Sequence, residues 1–457
     1  DRNEVLDRFS GTELHDYLEK VYTEHVRVSL KPQYVDKIPA AYKGVVRGLL
    51  QKISGRMTVK EAAELLDLMD VLDRDLDKLS GGELQRAAIA ATVMKDADVY
   101  FFDEPSSYLD IHQRLKVARV IQSMGEDRQV VVIEHDLAIL DFLADNVYLV
   151  YGIEGAFGVF AQPRQVRAAI NTYLDGYLAE ENIRFRDRNI EFEIRPPRAV
   201  WQTTELLAFP DLECDFPGFS LRIEAGSVKV GESIGIVGPN AIGKTTFVKM
   251  LAGIQQPTKG QLETSVKVSY KPQYIAPDFG GTVTELFHSY VKDFFESGFF
   301  ETEISHPLAL RPLLAKEVTT LSGGELQRVA IALCLSRDAD MYLMDEPSAY
   351  LDSNQRMEAA KTIRRVMEKR GRSAMVVDHD IYFIDMVSDS VMVFSGIPGA
   401  SGLGKGPFDM RAGMNLFLKD VNITFRRDND TNRPRINKMD SRLDREQKEK
   451  GEYYYSA

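Results

Sequence analysis

"GESIGIVGPNAIGKTTFVKMLAG" occupies residues 231–253. An apolar run leads into a glycine-rich turn and then into Lys-Thr-Thr and a further apolar segment, so the stretch predicts a strand, a turn and a helix. Gly238 and Gly243 let backbone amides converge on phosphate oxygens, with Pro239 and Asn240 inside the turn. The following helix start adds its positive dipole end. Lys244 supplies a point charge for β- and γ-phosphates, the Thr245 hydroxyl suits Mg2+, and Thr246 completes the phosphate-binding turn. The fold this predicts is an α/β phosphate-loop domain.

Downstream, "MYLMDEP" at 341–347 is an apolar strand ending in two carboxylates. Asp345 is placed to hold the metal through water, and Glu346 to polarise a water in line with the γ-phosphate. His379 follows another apolar run, "SAMVVD", and is the candidate phosphate sensor. Gln273 offers an uncharged amide to Mg2+ or the attacking water.

Most of these elements occur twice. "KPQY" stands at 31–34 and 271–274, and "LSGGELQR" at 79–86 and 321–328. "DADVYFFDEPSSYLD" at 96–110 answers "DADMYLMDEPSAYLD" at 338–352, and "VIEHD" at 132–136 answers "VVDHD" at 376–380. Gln33, Asp103, Glu104 and His135 are thus the first copies of Gln273, Asp345, Glu346 and His379, at an offset of 240–244 residues. That spacing is a duplicated domain, not a solenoid. The phosphate loop occurs once, and its first copy would fall before residue 1. With no initiator Met, the chain reads as starting inside a longer protein.

Each octapeptide also fits a capping box, with Ser80 or Ser322 at the N-cap and Glu three residues on. The pairs Gly81-Gly82 and Gly323-Gly324 leave the helix-start amides uncovered, so that an anion can dock there. Within one domain the octapeptide cannot easily reach that domain's own phosphate loop. It would serve a partner's.

The net charge of −12 argues against wholesale electrostatic binding to nucleic acid. With 44% hydrophobic and 28% charged residues the composition is that of globular domains. No apolar run approaches the roughly 18 residues of a membrane span, and no secretory signal opens the chain. Cys214 and Cys334 are too few for a disulfide framework or a metal cluster and read as buried thiols in a cytoplasmic protein.

In order and kind, these motifs resemble the ATP-binding cassette (ABC) superfamily, in which two cassettes face head to tail and clamp ATP between one phosphate loop and the other signature. The resemblance implies ATP and Mg2+ as ligands. It also implies one intramolecular site, from residues 238–246 and Ser80, Gly81 and Gly82, in a monomer, and it implies that the chain is an ATPase. Finer stretches resemble subfamily E, the ribosome-recycling or RNase L inhibitor type. "RFSGTELHDYLEKVY" (8–22) is similar to its helix-loop-helix insertion, with Ser10 where Arg is expected. "INTYLDGYLAEENIRFRDR" (170–188) and "MNLFLKDVNITFRRD" (414–428) are similar to its hinges.

The boundaries expected are a truncated first cassette at 1–169 with the insertion at about 4–22, a first hinge at 170–198, a second cassette at 199–408, and a second hinge and tail at 409–457. The polar tail taken alone reads as partly disordered. Subfamily E implies ATP-driven splitting of ribosomes, binding to the small subunit and ribosomal RNA, a release or rescue factor as partner, and no membrane. Its two iron–sulfur clusters need eight cysteines in a preceding domain, so none is expected in this chain, which would not split ribosomes by itself.

Arg184, Arg186, Arg188, Arg426, Arg427, Arg433 and Arg435 crowd the hinges, either as internal ion pairs or as RNA phosphate contacts. Phe219 is the candidate for adenine stacking. Rival readings are a tandem importer ATPase, a subfamily F-like translation factor, or a nucleotide-switched ribosome-binding scaffold with little catalysis.

Overall fold

The computed structural model describes all residues except 1, 24–25, 54, 154–155, 187–188, 193–203, 263–265, 274, 276–277 and 455–457. Arg188 and the proline-containing segment at 194–198 therefore lie outside the described residues. The chain divides into two compact units, Asp1–Ala144 and Asp145–Ala457.

The first unit opens with two helices, α1 (Arg2–Arg8) and α2 (Glu13–Thr23), joined by a turn at the expected insertion. Strand β1 (Val28–Lys31), helix α3 (Gly81–Met94), β2 (Val99–Asp103) and β3 (Gln129–Ile133) follow. The strands form a parallel sheet in the order β1-β2-β3, with Val28 opposite Val99 and Val99 opposite Gln129. Tyr100 and Phe102 are buried on one face of that sheet. On the other face Val131 and Ile133 remain 45% and 51% exposed.

The second unit begins with β-ribbons and helix α4 (Val166–Asp175). Its sheet strands are β4 (Leu212–Phe216), β5 (Phe219–Ile223), β6 (Ser233–Val237), β7 (Val268–Lys271), β8 (Met341–Asp345), β9 (Ser373–Val377), β10 (Ser390–Ile397) and β11 (Ser401–Asp409). Helices α5 (Lys244–Leu251), α6 (Gly323–Ser336) and α7 (Ile381–Val387) connect them. The spatial order is β4-β5-β11-β10-β6-β9-β8-β7, parallel throughout from β10 to β7. Strands β6, β8 and β9 are buried at every position, which is why they read as continuous apolar runs rather than alternating ones. Met375 and Val377, the copies of Val131 and Ile133, sit in a core with Ile234, Ile236, Phe247 and Phe394. In the second unit that strand pattern is covered by β6 and α5.

The tail departs from expectation. Up to Tyr454 it is folded, as a ribbon of β12 (Phe425–Arg427) and β13 (Pro434–Ile436) followed by α8 (Arg442–Lys450). Its polar residues satisfy one another instead of water. Thr424 Oγ1 donates to Asp444 at 2.6 Å, and the Asn437 amide donates to Thr424 at 2.8 Å and to Gln447. A composition argument fails here because satisfied buried polar groups replace an apolar core.

The hinge arginines have partners inside the unit. Arg427 grips Asp385 of α7 with two bonds of 3.0 and 3.1 Å. Arg426 donates to Asn437 at 2.8 Å, and Arg435 pairs with Asp428 at 3.3 Å. Arg186 stacks on Tyr173 at 4.6 Å, and Arg184 lies over Tyr177 at 5.3 Å. Arg433 is fully buried and donates to Asn171 of α4 at 3.2 Å and to the Tyr382 hydroxyl of α7 at 3.3 Å. Arg167 of α4 meets Asp428 at 3.0 Å and Asp430 at 2.9 Å. Burial alone would raise Asp428, but the amides of Asp430 and Thr431 with Arg433 and Arg167 outweigh it and hold its carboxyl at about 2.

Removing Arg433 leaves the Asn171 side-chain oxygen of α4 and the buried Tyr382 hydroxyl of α7 without this donor. Arg433→Ala is therefore expected to destabilise the second unit by about 2–4 kcal/mol, read as a lower urea midpoint with an unchanged slope. A midpoint equal to that of the parent chain would show that this arginine bears no such load.

Candidate nucleotide site

The phosphate loop connects β6 to α5. Gly238 and Gly243 have φ of +147° and +93°, a region open to glycine and strained for other residues. Packing adds a second reason. A Cβ on Gly238 would stand 2.4 Å from the Phe394 carbonyl, and one on Gly243 would stand 2.8 Å from Leu221. Lys244 is buried and folds back over the loop, donating to the carbonyls of Gly238 at 2.9 Å and Pro239 at 2.5 Å. The ammonium is thus held in the cradle that Pro239, Asn240 and Thr246 border in sequence.

Asp345 ends β8 fully buried, and neither of its oxygens has a hydrogen-bond partner of good geometry. Burial raises its carboxyl, and the nearby Thr245 hydroxyl offsets this in part. An orphaned carboxylate beside a hydroxyl is what a hard divalent cation would satisfy. Thr245, Gln273 and Asp345 therefore fit Mg2+. Glu346 behaves oppositely. Burial would raise it too, but His379, Lys244 and Gln273 together hold it down at about 2. His379 Nε2 lies 3.4 Å from Glu346 Oε1.

The Glu346 backbone is left-handed, with φ of +48°, which costs an L-residue roughly 1–2 kcal/mol. Four bonds hold it and the peptide before it. Its amide donates to the Val377 carbonyl at 2.8 Å. The buried Lys271 ammonium donates to the carbonyls of Asp345 at 2.8 Å and Glu346 at 3.2 Å. The Gln327 amide of the second octapeptide donates to the Glu346 carbonyl at 2.7 Å. Burial pushes Lys271 down to about 8, against the pull of Asp345, Asp378 and Glu346.

The first unit repeats the arrangement. Glu104 has φ of +46°, Lys31 donates to Asp103 and Glu104 carbonyls at 2.7 and 3.1 Å, and Gln85 donates to Glu104 at 2.7 Å. The Gln33 amide donates to Glu104 Oε1 at 2.7 Å, and His135 lies 3.5 Å from the same atom. The His135 side chain is 40% exposed, against 9% for His379. Asp103 is raised by burial, like its copy.

Both octapeptides form the capping boxes expected, Ser80 with Glu83 and Ser322 with Glu325. Their glycines have a packing role that the sequence did not disclose. A Cβ on Gly82 would come 3.0 Å from the Tyr108 carbonyl, and one on Gly324 2.7 Å from that of Tyr350. Gly81 and Gly323 face the same tyrosine rings at 3.1 and 3.3 Å. Phe219 is half-buried against the core, and Phe216 beside it at 6.4 Å is the more exposed ring. Cys214 and Cys334 are free and buried, as expected.

The second unit therefore brings together Lys244, Thr245, Gln273, Asp345, Glu346 and His379, and the first brings together Gln33, Asp103, Glu104 and His135. Sequence reasoning passed over Lys31, Lys271, Gln85 and Gln327, although all four stand inside duplicated motifs.

The ABC transporter family matches residues 8–107 and 225–349. Translation initiation factor RLI1 of Saccharomyces cerevisiae is 43% identical over 99% of this chain and 76% of its own length. An archaeal ribosome recycling factor, aABCE1, in complex with the ribosomal stalk protein aP1, superposes with a TM-score of 0.95 at 52% identity. That match covers all of this chain and 88% of the other. Ribosome-bound archaeal ABCE1, described with Pelota, gives a TM-score of 0.93 at 51% identity over 100% of this chain and 77% of the other. The chain belongs to ABC subfamily E. Among the described residues of this subfamily E chain, no helix is long and apolar enough to cross a membrane.

The octapeptide cap carries a pH signature. Lys316 at 2.7 Å, with the Ser322 amide, holds Glu325 down at about 2 from its ordinary 4.5. A carboxyl depressed on folding stabilises above its unfolded pKa and loses that contribution as pH falls through the folded one. Glu325→Gln is thus expected to cost about 1–2 kcal/mol at pH 7. The gap from the parent should narrow steadily in urea titrations below about pH 4.5, and a gap independent of pH would refute the assignment.

Proposed function

We propose that this chain is an ATP-hydrolysing clamp that drives the splitting of ribosomes into subunits and then holds the small subunit. The observation that carries the catalytic part is the Glu346–His379 pair beside the orphaned Asp345 carboxylate and the Lys244 cradle. The ribosomal part rests on similarity, over all of this chain, to a recycling factor described with a stalk protein and to one described on the ribosome with Pelota. Ribosomal RNA and a release or rescue factor are the implied partners, in the cytoplasm.

In this reading the backbone amides of residues 238–246 and the Lys244 ammonium bind the triphosphate. Thr245, Gln273 and Asp345 would hold Mg2+, which neutralises charge on the β- and γ-phosphate oxygens when bound. A water attacks the γ-phosphorus, the bond to the ADP oxygen breaks, and the water's proton leaves with the phosphate or through Glu346. Glu346, kept charged beside His379, orients and polarises the water, which suits a loose phosphoryl-transfer transition state with little need of a strong base. His379 orients Glu346 and can donate to the γ-phosphate. ATP binding closes the clamp and hydrolysis reopens it, so the binding free energy biases a two-state element.

Glu346→Gln keeps the shape and loses the charge, so it is expected to bind ATP and turn it over at least about a hundredfold more slowly. The check is steady-state phosphate release with and without ribosomal subunits. Full-speed release by this variant would remove Glu346 from the mechanism. Turnover by the parent that ignores subunits would leave a scaffold rather than a splitting engine. Chelating Mg2+ with EDTA is expected to abolish turnover and to restore it on readdition.

A further inference from the structure

We propose that Lys271 and Gln327 are positioning residues for hydrolysis, acting together as a clamp on the backbone of Asp345–Glu346 that aims the Glu346 carboxylate. The proposal rests on the reading of Glu346 given above and deepens it.

Lys271 lies at the end of β7, two residues before Gln273, and is 1% exposed. A buried ammonium is costly unless hydrogen-bonded, and this one spends two bonds on carbonyls of the residues that carry the chemistry. Its hydrogen bonds to Asp345 and Glu346 go to main-chain carbonyls and not to the carboxylates, whose attraction acts on it from a distance. What it fixes is the peptide geometry. The Glu346 backbone has to hold φ of +48°, and the residue is not glycine. A single carbonyl, that of Glu346, receives both the Lys271 ammonium and the Gln327 amide. Two donors on one carbonyl fix its direction more tightly than either alone.

The two donors arrive from different elements. Lys271 comes from the strand that leads to Gln273, and Gln327 from the helix opened by the second octapeptide. The same lysine, the same glutamine and the same left-handed glutamate recur in the first unit as Lys31, Gln85 and Glu104. The duplicated unit keeps the geometry, with bond lengths agreeing within about 0.1 Å. Because Gln327 stands five residues after Ser322 on one rigid helix, a displacement of that octapeptide would be felt at Glu346.

The test uses the full chain and compares Lys271→Met, Gln327→Met and Glu346→Gln, alone and in combination. ATP affinity, single-turnover hydrolysis and urea midpoint are measured for each. Lys271→Met and Gln327→Met are each expected to bind ATP within about threefold of the parent and to hydrolyse it about tenfold or more slowly, the loss falling on the rate and not on affinity. Adding either to Glu346→Gln should slow hydrolysis no further, because the clamp works only through that carboxylate.

Unchanged rates in the two methionine variants, or losses that multiply with that of Glu346→Gln, would overturn the clamp while leaving Glu346 in place. Parallel losses of affinity and stability would mark the pair as merely structural and overturn it as well. A fast Glu346→Gln enzyme would instead overturn the underlying reading, and the clamp with it. If Lys271→Met fails to fold, Gln327→Met decides by the same criteria.

Discussion

Four adjacent parallel strands of the second unit end side by side, and each end carries one part of the site. β6 delivers the phosphate loop, β7 Gln273, β8 the two carboxylates and β9 His379. The register is fixed by burial on both faces, with Ile236 opposite Val377 and Asp345 opposite Val377 along shared ladders. A one-residue slip would move every side chain to the opposite face. The apolar runs that make these strands thus determine where the polar groups meet, and ligands gather beyond the carboxyl ends of such strands for the same reason.

Within that frame two neighbouring carboxylates are driven apart in behaviour. Asp345 is raised by burial with no donor of good geometry, so it is prepared for a cation. Glu346 is lowered by His379, Lys244 and Gln273 in spite of its burial, so it stays charged. Adjacent residues with opposite shifts are how one turn supplies two roles. The left-handed backbone at Glu346 turns its side chain away from that of Asp345, and it is paid for by bonds from three other elements.

The two units are copies with different surroundings. The residue before the histidine is Asp378 in one and Glu134 in the other. Asp378 accepts from the Ser348 amide and hydroxyl at 3.0 and 2.7 Å and from the Asp380 amide at 2.9 Å. The longer Glu134 accepts from the amides of His135 and Asp136 at 2.8 and 3.0 Å, and burial raises its carboxyl. In each unit the Asp after the histidine caps the next helix and pairs with an arginine, Arg114 at 2.6 Å or Arg356 at 3.4 Å. The histidine therefore sits on a loop pinned from both sides.

Much of this was legible in the sequence because it is local. The strand–turn–helix at 231–253 and the capping boxes at Ser80 and Ser322 depend on residues a few positions apart, where periodicity and capping chemistry act. The duplication was legible because identical strings repeat at one offset. What only the tertiary structure decided involves partners far apart in the chain. Met375 is buried because β6 and α5, far earlier in the chain, lie against it. The tail folds because Asp444, Gln447 and Asn437 find one another. Arg433 is buried because Asn171, some 262 residues earlier, supplies an acceptor. Lys271 acquires its role only when β8 brings two carbonyls to its ammonium. A sequence states which donors exist; desolvation and the register of long-range strand pairs determine which acceptors they meet.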